Sequence, residues 1–342
     1  MAPAAVDHFT DPFSPWCWAA QPTLRRLRHE FDDVEWAPRM TVLLPGGNAD
    51  WPPDDAEEAA ALRDAWADAA RATGMPVADE LWADRLPTSR PACAAVAFLR
   101  ETAPDRALAV LRRLRVAAFT EERVVDDPET VAALAAEVDG VERASIERAL
   151  DDGRAEDALE ADLRLAVDVA GQRDEVEIRG DVSTRPAGPR LGDAATHEES
   201  ADDGDPEERM LVGPPTLRFG TPEGTVLADA RLPFGRLASA LGRSVPRTGV
   251  DAGDKYATGR MAMHIGRVAA ESLSGRDFQG AIRPYLARFG SAYLPEVVAG
   301  TGLSRETCRS TLASLVEAGE VERVGPAEWR TVHDPGDPRG ET

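Results

Sequence analysis

The first 44 residues alternate between strand and helix patterns, and this alternation restricts the fold more than any other feature of the chain. Residues 4–10 (AAVDHFT) predict a short strand that ends at an Asp-Pro turn. Residues 17–31 place leucines and a phenylalanine on one helical face, and residues 34–44 (VEWAPRMTVLL) predict a second strand. The chain therefore opens as the β-α-β unit of an α/β protein.

A motif with a single cysteine lies where the first strand enters the first helix. A disulfide-exchange motif reads Cys-x-x-Cys, whereas this chain has Ser14, Pro15, Trp16 and Cys17. A helix N-terminus carries free N–H groups and partial positive charge, which lower the pKa of a nearby thiol. Ser14 takes the place of the first cysteine, and a serine hydroxyl keeps its proton near pH 7. A dithiol cycle within the motif is therefore excluded.

The middle of the chain divides by composition into three segments. Helical spacing of apolar residues continues through residues 51–175 and predicts a helical insertion. Residues 176–209 are acidic and poor in apolar residues, and they predict a flexible loop. Two short strands and a helix follow within residues 210–242. We expect residues 1–50 and 210–242 to form one core, which the insertion and the loop interrupt.

The C-terminal segment, residues 250–335, has the element order of a winged helix-turn-helix domain. A helical pattern over residues 256–273 and a second helix precede a helix, a Gly-rich turn, another helix and two short strands. The helix after the turn carries Arg305, Thr307 and Arg309, which are side chains of the kind that contact bases or phosphates. Acidic residues in this segment match or outnumber the arginines, and winged helices also bind proteins. We therefore expect a protein partner here ahead of DNA.

Four stretches carry a resemblance to a known family: DPFSPWCW, PTSRPACAAVAFL, LRRLRVAAFTEERVVDDPETVAALAAEV and VGPPTLRFG. Over residues 4–242 the chain resembles the DsbA and FrnE family, and more closely its YjbH-like branch. The resemblance implies a thioredoxin-like α/β fold with a large helical insertion and a thiol-disulfide oxidoreductase-like activity. It also implies a cis peptide bond at Pro215 facing the active site. Pro215 and Thr216 would then border the substrate together with Pro15 and Trp16.

The missing cysteine leaves four hypotheses for this site. In the first, Cys17 forms a reversible disulfide with Cys93, which the resemblance places beside the active site, although Cys93 also suits a buried Ala-rich helix. In the second, Ser14 stabilises the thiolate of a bound protein thiol or low-molecular-weight thiol, as in kappa-class glutathione transferases with a similar Ser-Pro motif. In the third, Cys17 alone forms mixed disulfides. In the fourth, the domain is redox-silent and binds a polypeptide as an adaptor or regulator, which resembles YjbH-like proteins.

The composition indicates the habitat of the protein and says less about its function. Asp and Glu number 61 against 39 Lys and Arg, and the net charge is −22. A dense acidic surface keeps a protein hydrated at high salt and opposes non-specific binding of nucleic acid, so we expect a halophilic protein. A GC-rich genome, which favours Arg, Asp and Glu codons, is the alternative explanation of this composition. Three cysteines make no disulfide framework, and no apolar run reaches the length of a membrane span. We expect a cytoplasmic protein without membrane contact, cofactor or metal, since the five histidines lack ligand spacing.

Overall fold

The computed structural model of the protein describes residues 5–44, 56–79, 81, 88–123, 125–186, 210–242, 275–324 and 328–332. Its strands are β1 Ala5–Thr10, β2 Glu35–Met40, β3 Glu177–Arg179, β4 Thr184–Pro186, β5 Met210–Val212, β6 Thr216–Thr221, β7 Gly224–Asp229, β8 Ser291–Tyr293, β9 Val321–Val324 and β10 Glu328–Thr331. Its α-helices are α1 Pro15–Ala19, α2 Gln21–Glu30, α3 Ala56–Arg71, α4 Arg90–Thr102, α5 Pro104–Thr120, α6 Pro128–Ala135, α7 Arg143–Asp151, α8 Arg154–Gly171, α9 Phe234–Leu241, α10 Gly275–Phe289, α11 Leu294–Thr301 and α12 Arg305–Glu317.

The central sheet has five strands in the order β2-β1-β6-β7-β3. Strand β1 runs parallel to β2, with Ala5 opposite Glu35, and antiparallel to β6, with Val6 opposite Phe219. Strands β6 and β7 form a hairpin, and β3 lies parallel to β7 at the far edge. This strand order, with α1 and α2 crossing between β1 and β2, is the thioredoxin-like α/β fold that the sequence predicts.

Apolar side chains cover both faces of this sheet. On one face, Val6, Leu27 and Leu217 belong to a cluster that packs the sheet against α2 and α9. On the other face, Phe9 and Met40 belong to a larger cluster that includes the helical insertion. Successive residues of a strand point to opposite faces, so β1 contributes to both cores.

Helix α4 is the centre of the helical insertion. Residues 92–99 (ACAAVAFL) are all buried, as expected for a helix that other elements surround. It contacts α5, α6, α7 and α8, and its alanines allow these helices to approach closely. None of the helices in the described part of the chain is long and apolar enough to cross a bilayer.

The first predicted helix is two helices with a turn at Ala20. The sequence predicted one helix over residues 17–31, but α1 begins earlier, at Pro15, and ends at Ala19. Pro22 has no N–H to donate to the carbonyl group of Trp18, so the helical hydrogen-bond ladder breaks there. The turn directs α2 away from α1 and leaves the motif in a helix of five residues.

Part of the segment predicted as a flexible loop forms strands. Within residues 176–209, β3 extends the central sheet, and β4 pairs antiparallel with β5. These strands have three residues each, too few for an alternating pattern to emerge from a polar sequence. Residues 187–209 lie outside the described residues.

The C-terminal unit has its own core and packs on the thioredoxin-like domain. Its strands form a separate sheet in the order β8-β10-β9, and Tyr285, Leu286 and Leu312 are buried among α10, α11 and α12. Helix α11 packs along α2. The helix predicted over residues 256–273 lies outside the described residues.

Candidate functional site

Ser14 caps the helix that carries the motif. Its hydroxyl oxygen accepts a hydrogen bond from the backbone N–H of Cys17 at 3.2 Å, and Pro15 occupies the first helical turn. Ser14 has extended backbone angles and is fully buried. Its oxygen therefore satisfies a helix N–H group, and no geometry here favours a glutathione-transferase-like role toward an external thiolate.

Cys17 lies at the end of a polar chain that leads to a buried arginine. The Cys17 thiol is fully buried, and its Sγ accepts a hydrogen bond from the Thr10 hydroxyl at 3.3 Å. Arg115 donates to the oxygen of that hydroxyl and, at 3.1 Å, to the backbone carbonyl of Asp11. Burial lowers the pKa of Arg115, and Cys17 and Asp11 oppose this shift. The Thr10 hydroxyl group therefore connects the guanidinium group of Arg115 to the Cys17 thiol by two hydrogen bonds.

Cys93 belongs to a second polar cluster, centred on the carboxylate of Asp11. Asp11 accepts hydrogen bonds from the N–H groups of Phe13 at 2.7 Å and Leu43 at 2.6 Å, and from the Ser89 hydroxyl at 2.7 Å. The Cys93 thiol donates to the same carboxylate at 3.5 Å. Burial, followed by the charge of Asp11, raises the pKa of Cys93 well above its usual value. Cys93 is therefore a protonated thiol and a weak nucleophile.

The three cysteines of the chain, Cys17, Cys93 and Cys308, are buried free thiols. Cys17 and Cys93 have different hydrogen-bond partners, Thr10 and Asp11. The structure thus gives no pairing of the two, and their disulfide stays a prediction.

The cis peptide bond implied for Pro215 is present, between Pro214 and Pro215. Thr216 pairs opposite Phe9, so Pro215 lies beside the end of β1, where the motif begins. Both residues are buried, and the Thr216 hydroxyl donates to the carbonyl group of Gly213 at 2.7 Å. The proline therefore lies at the motif, but in the part of the chain that the structure describes it is covered and not open to a substrate.

Trp16 is the most accessible residue of the Ser-Pro-Trp-Cys motif, and it is half-buried. Its ring lies edge-on to that of Trp66 in α3, with 6.4 Å between centroids. From β4, Arg185 donates to the backbone carbonyl groups of Thr41 and Val42, which follow β2. The insertion and β4 thus contribute to a closed site.

The candidate contact residues of the C-terminal unit lie at the start of α12. Arg305 and Arg309 are exposed, whereas the Thr307 hydroxyl lies 2.8 Å from that of Ser304, the residue that caps the helix. The exposed side chains of α12 include two arginines and two glutamates, Glu306 and Glu317. These exposed side chains carry no excess of positive charge. An excess of positive charge is the usual basis of phosphate binding.

Sequence reasoning missed Thr10, Asp11 and Arg115. Arg115 did have a signal, because it follows Leu111 by four residues and so falls on the apolar stripe of its helix. A charged residue on a buried stripe needs polar partners in the interior, so this position indicates a buried polar cluster. Thr10 and Asp11 gave no such signal, because short polar residues are common where a strand ends.

Replacing Ser14 by alanine is expected to lower the free energy of unfolding by about 1 kcal/mol, because the Cys17 N–H group loses its acceptor. Urea unfolding measures the loss. Ser314→Ala, at an exposed position inside α12, is the control and should change stability by less than about 0.5 kcal/mol. Equal stability of Ser14→Ala and the wild type would show that the cap contributes nothing.

Comparisons with known proteins bear on the fold of the chain. The family described as DSBA-like thioredoxin domain matches residues 5–171. No curated protein matches the chain. Solved structures with a similar arrangement include a proposed protein disulfide isomerase from Nitrosomonas europaea, with 14% identity, TM-score 0.48, and coverage of 77% of this chain and 100% of that one.

Two further structures are similar at the same level. The cytosolic disulfide reductase DsbM from Pseudomonas aeruginosa has 16% identity, TM-score 0.43, and coverage of 76% of this chain and 99% of that one. A proposed DsbA oxidoreductase from Streptomyces coelicolor has 20% identity, TM-score 0.46, and coverage of 72% and 94%. Because these TM-scores are below 0.5, the assignment of the fold rests on the strand order and the family match. The chain therefore contains a DSBA-like thioredoxin domain.

Proposed function

We propose that this chain is a thiol-disulfide oxidoreductase-like protein that works through one thiol, Cys17. The observation that carries the proposal is Arg115, which is 2% exposed and forms no ion pair with any residue in the described part of the chain. A buried cation without an ion-pair partner is costly even with the charge of Asp11 nearby, and such groups concentrate at functional sites. A thiolate at Cys17 would add a negative charge on the side of Arg115 that donates to Thr10, with the Thr10 hydroxyl between the two groups.

The proposed reaction exchanges two electrons with a disulfide of a protein or a low-molecular-weight thiol. The Cys17 thiolate attacks one sulfur of the substrate disulfide, a new bond to Cys17 forms, and the other sulfur leaves as a thiolate. A second thiol of the same class then attacks the mixed disulfide at the substrate sulfur. This step releases Cys17 and completes the exchange, and it needs neither a second cysteine in the motif nor Cys93.

The buried state of the site makes local opening part of the proposal. Cys17 and Ser14 are both fully buried, so a disulfide reaches Cys17 only when α1 or its cover moves. Local openings of this kind occur in folded proteins at a fraction of the global unfolding free energy. Pro15, Trp16 and Pro215 would then border the substrate.

The proposal predicts that Cys17 reacts with oxidised glutathione faster than Cys308 by about tenfold or more. Both cysteines are fully buried, but within the described residues the Cys308 thiol has the hydroxyl of Thr301 as its hydrogen-bond partner and no charged group shifts its pKa. The measurement is the mass of each cysteine-containing peptide over time in the native protein. Ser14→Cys restores the Cys-x-x-Cys motif and is the positive control.

Two variants test the role of the buried cation. Thr10→Val keeps the shape of the side chain and removes the hydroxyl, and Arg115→Met removes the charge. Each should slow the reaction of Cys17 by about tenfold and leave Cys308 unchanged, because an ionic hydrogen bond is worth about 1.5–3 kcal/mol. If Cys17 in the wild type reacts only after denaturation, the oxidoreductase proposal is wrong.

A second candidate is a redox-silent adaptor or regulator, of the kind to which the YjbH-like resemblance points. The observation that favours it is the burial of all three cysteines. The C-terminal order α10-β8-α11-α12-β9-β10 supports a winged helix as its second binding surface. The balanced charge of α12 favours a protein partner over DNA. The absence of any native reaction at Cys17 would favour this function.

A further inference from the structure

A small cavity lies among β1, α2, β2 and α5. It offers about 10 Å³ to the centre of a water-sized sphere, which is room for one water molecule or one atom of similar size. Its polar lining consists of His8, Gln21, Arg28, Trp36, Arg112 and Arg115, and leucines complete the wall.

Three nitrogen atoms of this lining are buried without a hydrogen-bond partner. They are Nε2 of His8, Nε1 of Trp36 and Nε of Arg115. His8 is 4% exposed and Arg115 is 2% exposed, so bulk water does not satisfy them. Buried polar atoms almost always have a partner, and three orphans around one cavity indicate an occupant that accepts hydrogen bonds.

The charge of the lining is positive. The cavity wall includes three guanidinium groups and no carboxylate. Arg112 is paired with Glu296 at 2.7 Å, whereas Arg28 and Arg115 form no ion pair within the described residues. Burial, followed by the charge of Arg25, lowers the pKa of Arg28 to about 9, so Arg28 remains a cation at neutral pH. Burial and then the charges of Arg115 and Arg28 lower the pKa of His8 well below its usual value.

We propose that this cavity binds one monatomic anion of the size of chloride, held by the side chains of His8, Trp36 and Arg115. The N–H groups of Trp36 and Arg115 can only donate. A water molecule would find side-chain acceptors for its own hydrogens only in Gln21 and neutral His8 of this lining, whereas an anion needs none. A polyatomic anion such as sulfate exceeds the volume. A halide accepts from several donors at once and supplies negative charge beside Arg28. At Arg115 it would accept from the unpartnered Nε, whereas a terminal nitrogen donates to Thr10 on the side of Cys17.

The first test is crystallography of the full chain grown in sodium bromide, with data collected at the bromine absorption edge. The expected result is an anomalous peak within hydrogen-bond distance of Trp36 Nε1 and His8 Nε2. A water peak in the cavity without anomalous signal overturns the proposal. Bromide at exposed surface positions alone also overturns it.

The second test is thermal unfolding in sodium bromide and in sodium gluconate at equal ionic strength. Gluconate is too large for the cavity, so the wild type should melt at a higher temperature in bromide. Trp36→Phe keeps the ring and removes the N–H donor, and Arg28→Gln removes a charge from a partly exposed position. Each should raise the bromide concentration of half-maximal effect by about tenfold.

Arg148→Gln is the matched control for these variants, because Arg148 is exposed on α7, remote from the lining residues in sequence and element. It should keep the bromide dependence of the wild type. If Trp36→Phe and Arg28→Gln also keep that dependence, the anion is not in this cavity.

Discussion

Replacing Glu296 by glutamine is expected to lower the free energy of unfolding by about 3–5 kcal/mol. Glu296 is fully buried, and its carboxylate accepts hydrogen bonds from Arg25 at 2.8 Å and from both terminal nitrogens of Arg112 at 2.7 and 2.9 Å. It also accepts from the backbone N–H of Tyr293 at 2.8 Å. Glutamine keeps the shape but carries no charge, so Arg25 loses its counter-ion and Arg112 keeps, within the described residues, only the more distant Glu328, at 3.7 Å.

The Glu296 network joins three parts of the molecule. Arg25 lies on α2 of the thioredoxin-like core, Arg112 on α5 of the insertion, and Glu296 on α11 of the C-terminal unit. Glu296→Gln should therefore also loosen the C-terminal unit. Urea unfolding measures the stability, and limited proteolysis of the native protein measures the release of residues 275–332. Glu317→Gln, exposed on α12, is the control and should change neither.

The same network gives a dependence on pH. Burial favours the neutral form of Glu296, but Arg112 and Arg25 outweigh it, and the pKa of Glu296 is lowered from 4.5. A lowered pKa in the folded state means that the stabilisation is complete above pH 4.5 and is lost as the pH falls through the folded pKa. The difference in stability between the wild type and Glu296→Gln should thus shrink in acid. A difference that stays constant down to pH 3 would contradict this account.

The fold could be predicted because its signals are local. The alternation of β1 places Val6 and Phe9 in opposite cores, and alternation is visible in the sequence. The split between α1 and α2 was also visible, since Pro22 cannot donate to Trp18, but the apolar face continued across it and suggested one helix. The strands β3 and β4 could not be predicted, because three residues form strands only where a partner is already in place.

The candidate site was less predictable because its contacts are distant in sequence. The sequence located Cys17 and Pro215, yet Thr10 meets Arg115 across 105 positions, and Asp11 meets Cys93 across 82. Such pairs depend on how the helical insertion packs against the sheet. The hydrophobic periodicity of the sequence does not indicate this packing. The helix-capping role of Ser14 was predictable, because a serine before a proline is a common start of a helix, but the interpretation of Ser14 from the sequence concerned only its place in a Cys-x-x-Cys pattern, where a nucleophilic cysteine belongs.

Replacing Trp18 by alanine is expected to lower the free energy of unfolding by about 3–5 kcal/mol, because it empties one of the largest buried side-chain positions. The Trp18 ring stacks on Phe119 of the insertion, with 5.4 Å between centroids, and lies edge-on to Tyr293 of the C-terminal unit at 5.7 Å. Its indole N–H donates to the carbonyl group of Pro76 at 2.9 Å. Guanidinium unfolding measures the loss.

The neighbouring Trp16→Ala is the control, because Trp16 is in the same helix as Trp18 and is half-buried. It should cost less than half as much as Trp18→Ala, since less apolar surface leaves contact. Trp18→Phe keeps an aromatic ring and should fall between the two. An equal loss for Trp16→Ala and Trp18→Ala would show that Trp18 is not the main anchor of α1.

The same variants connect the stability of α1 to the chemistry of Cys17. Trp18 and Cys17 are adjacent in a helix of five residues, so an opening that exposes the thiol also removes Trp18 from its pocket. Trp18→Ala lowers the free energy of that opening and should accelerate the reaction of Cys17 with oxidised glutathione, whereas Cys308, in the separate core of the C-terminal unit, should react at the wild-type rate. If Trp18→Ala loses stability without faster reaction at Cys17, then α1 does not open as a unit, and access to the thiol requires movement of the insertion instead.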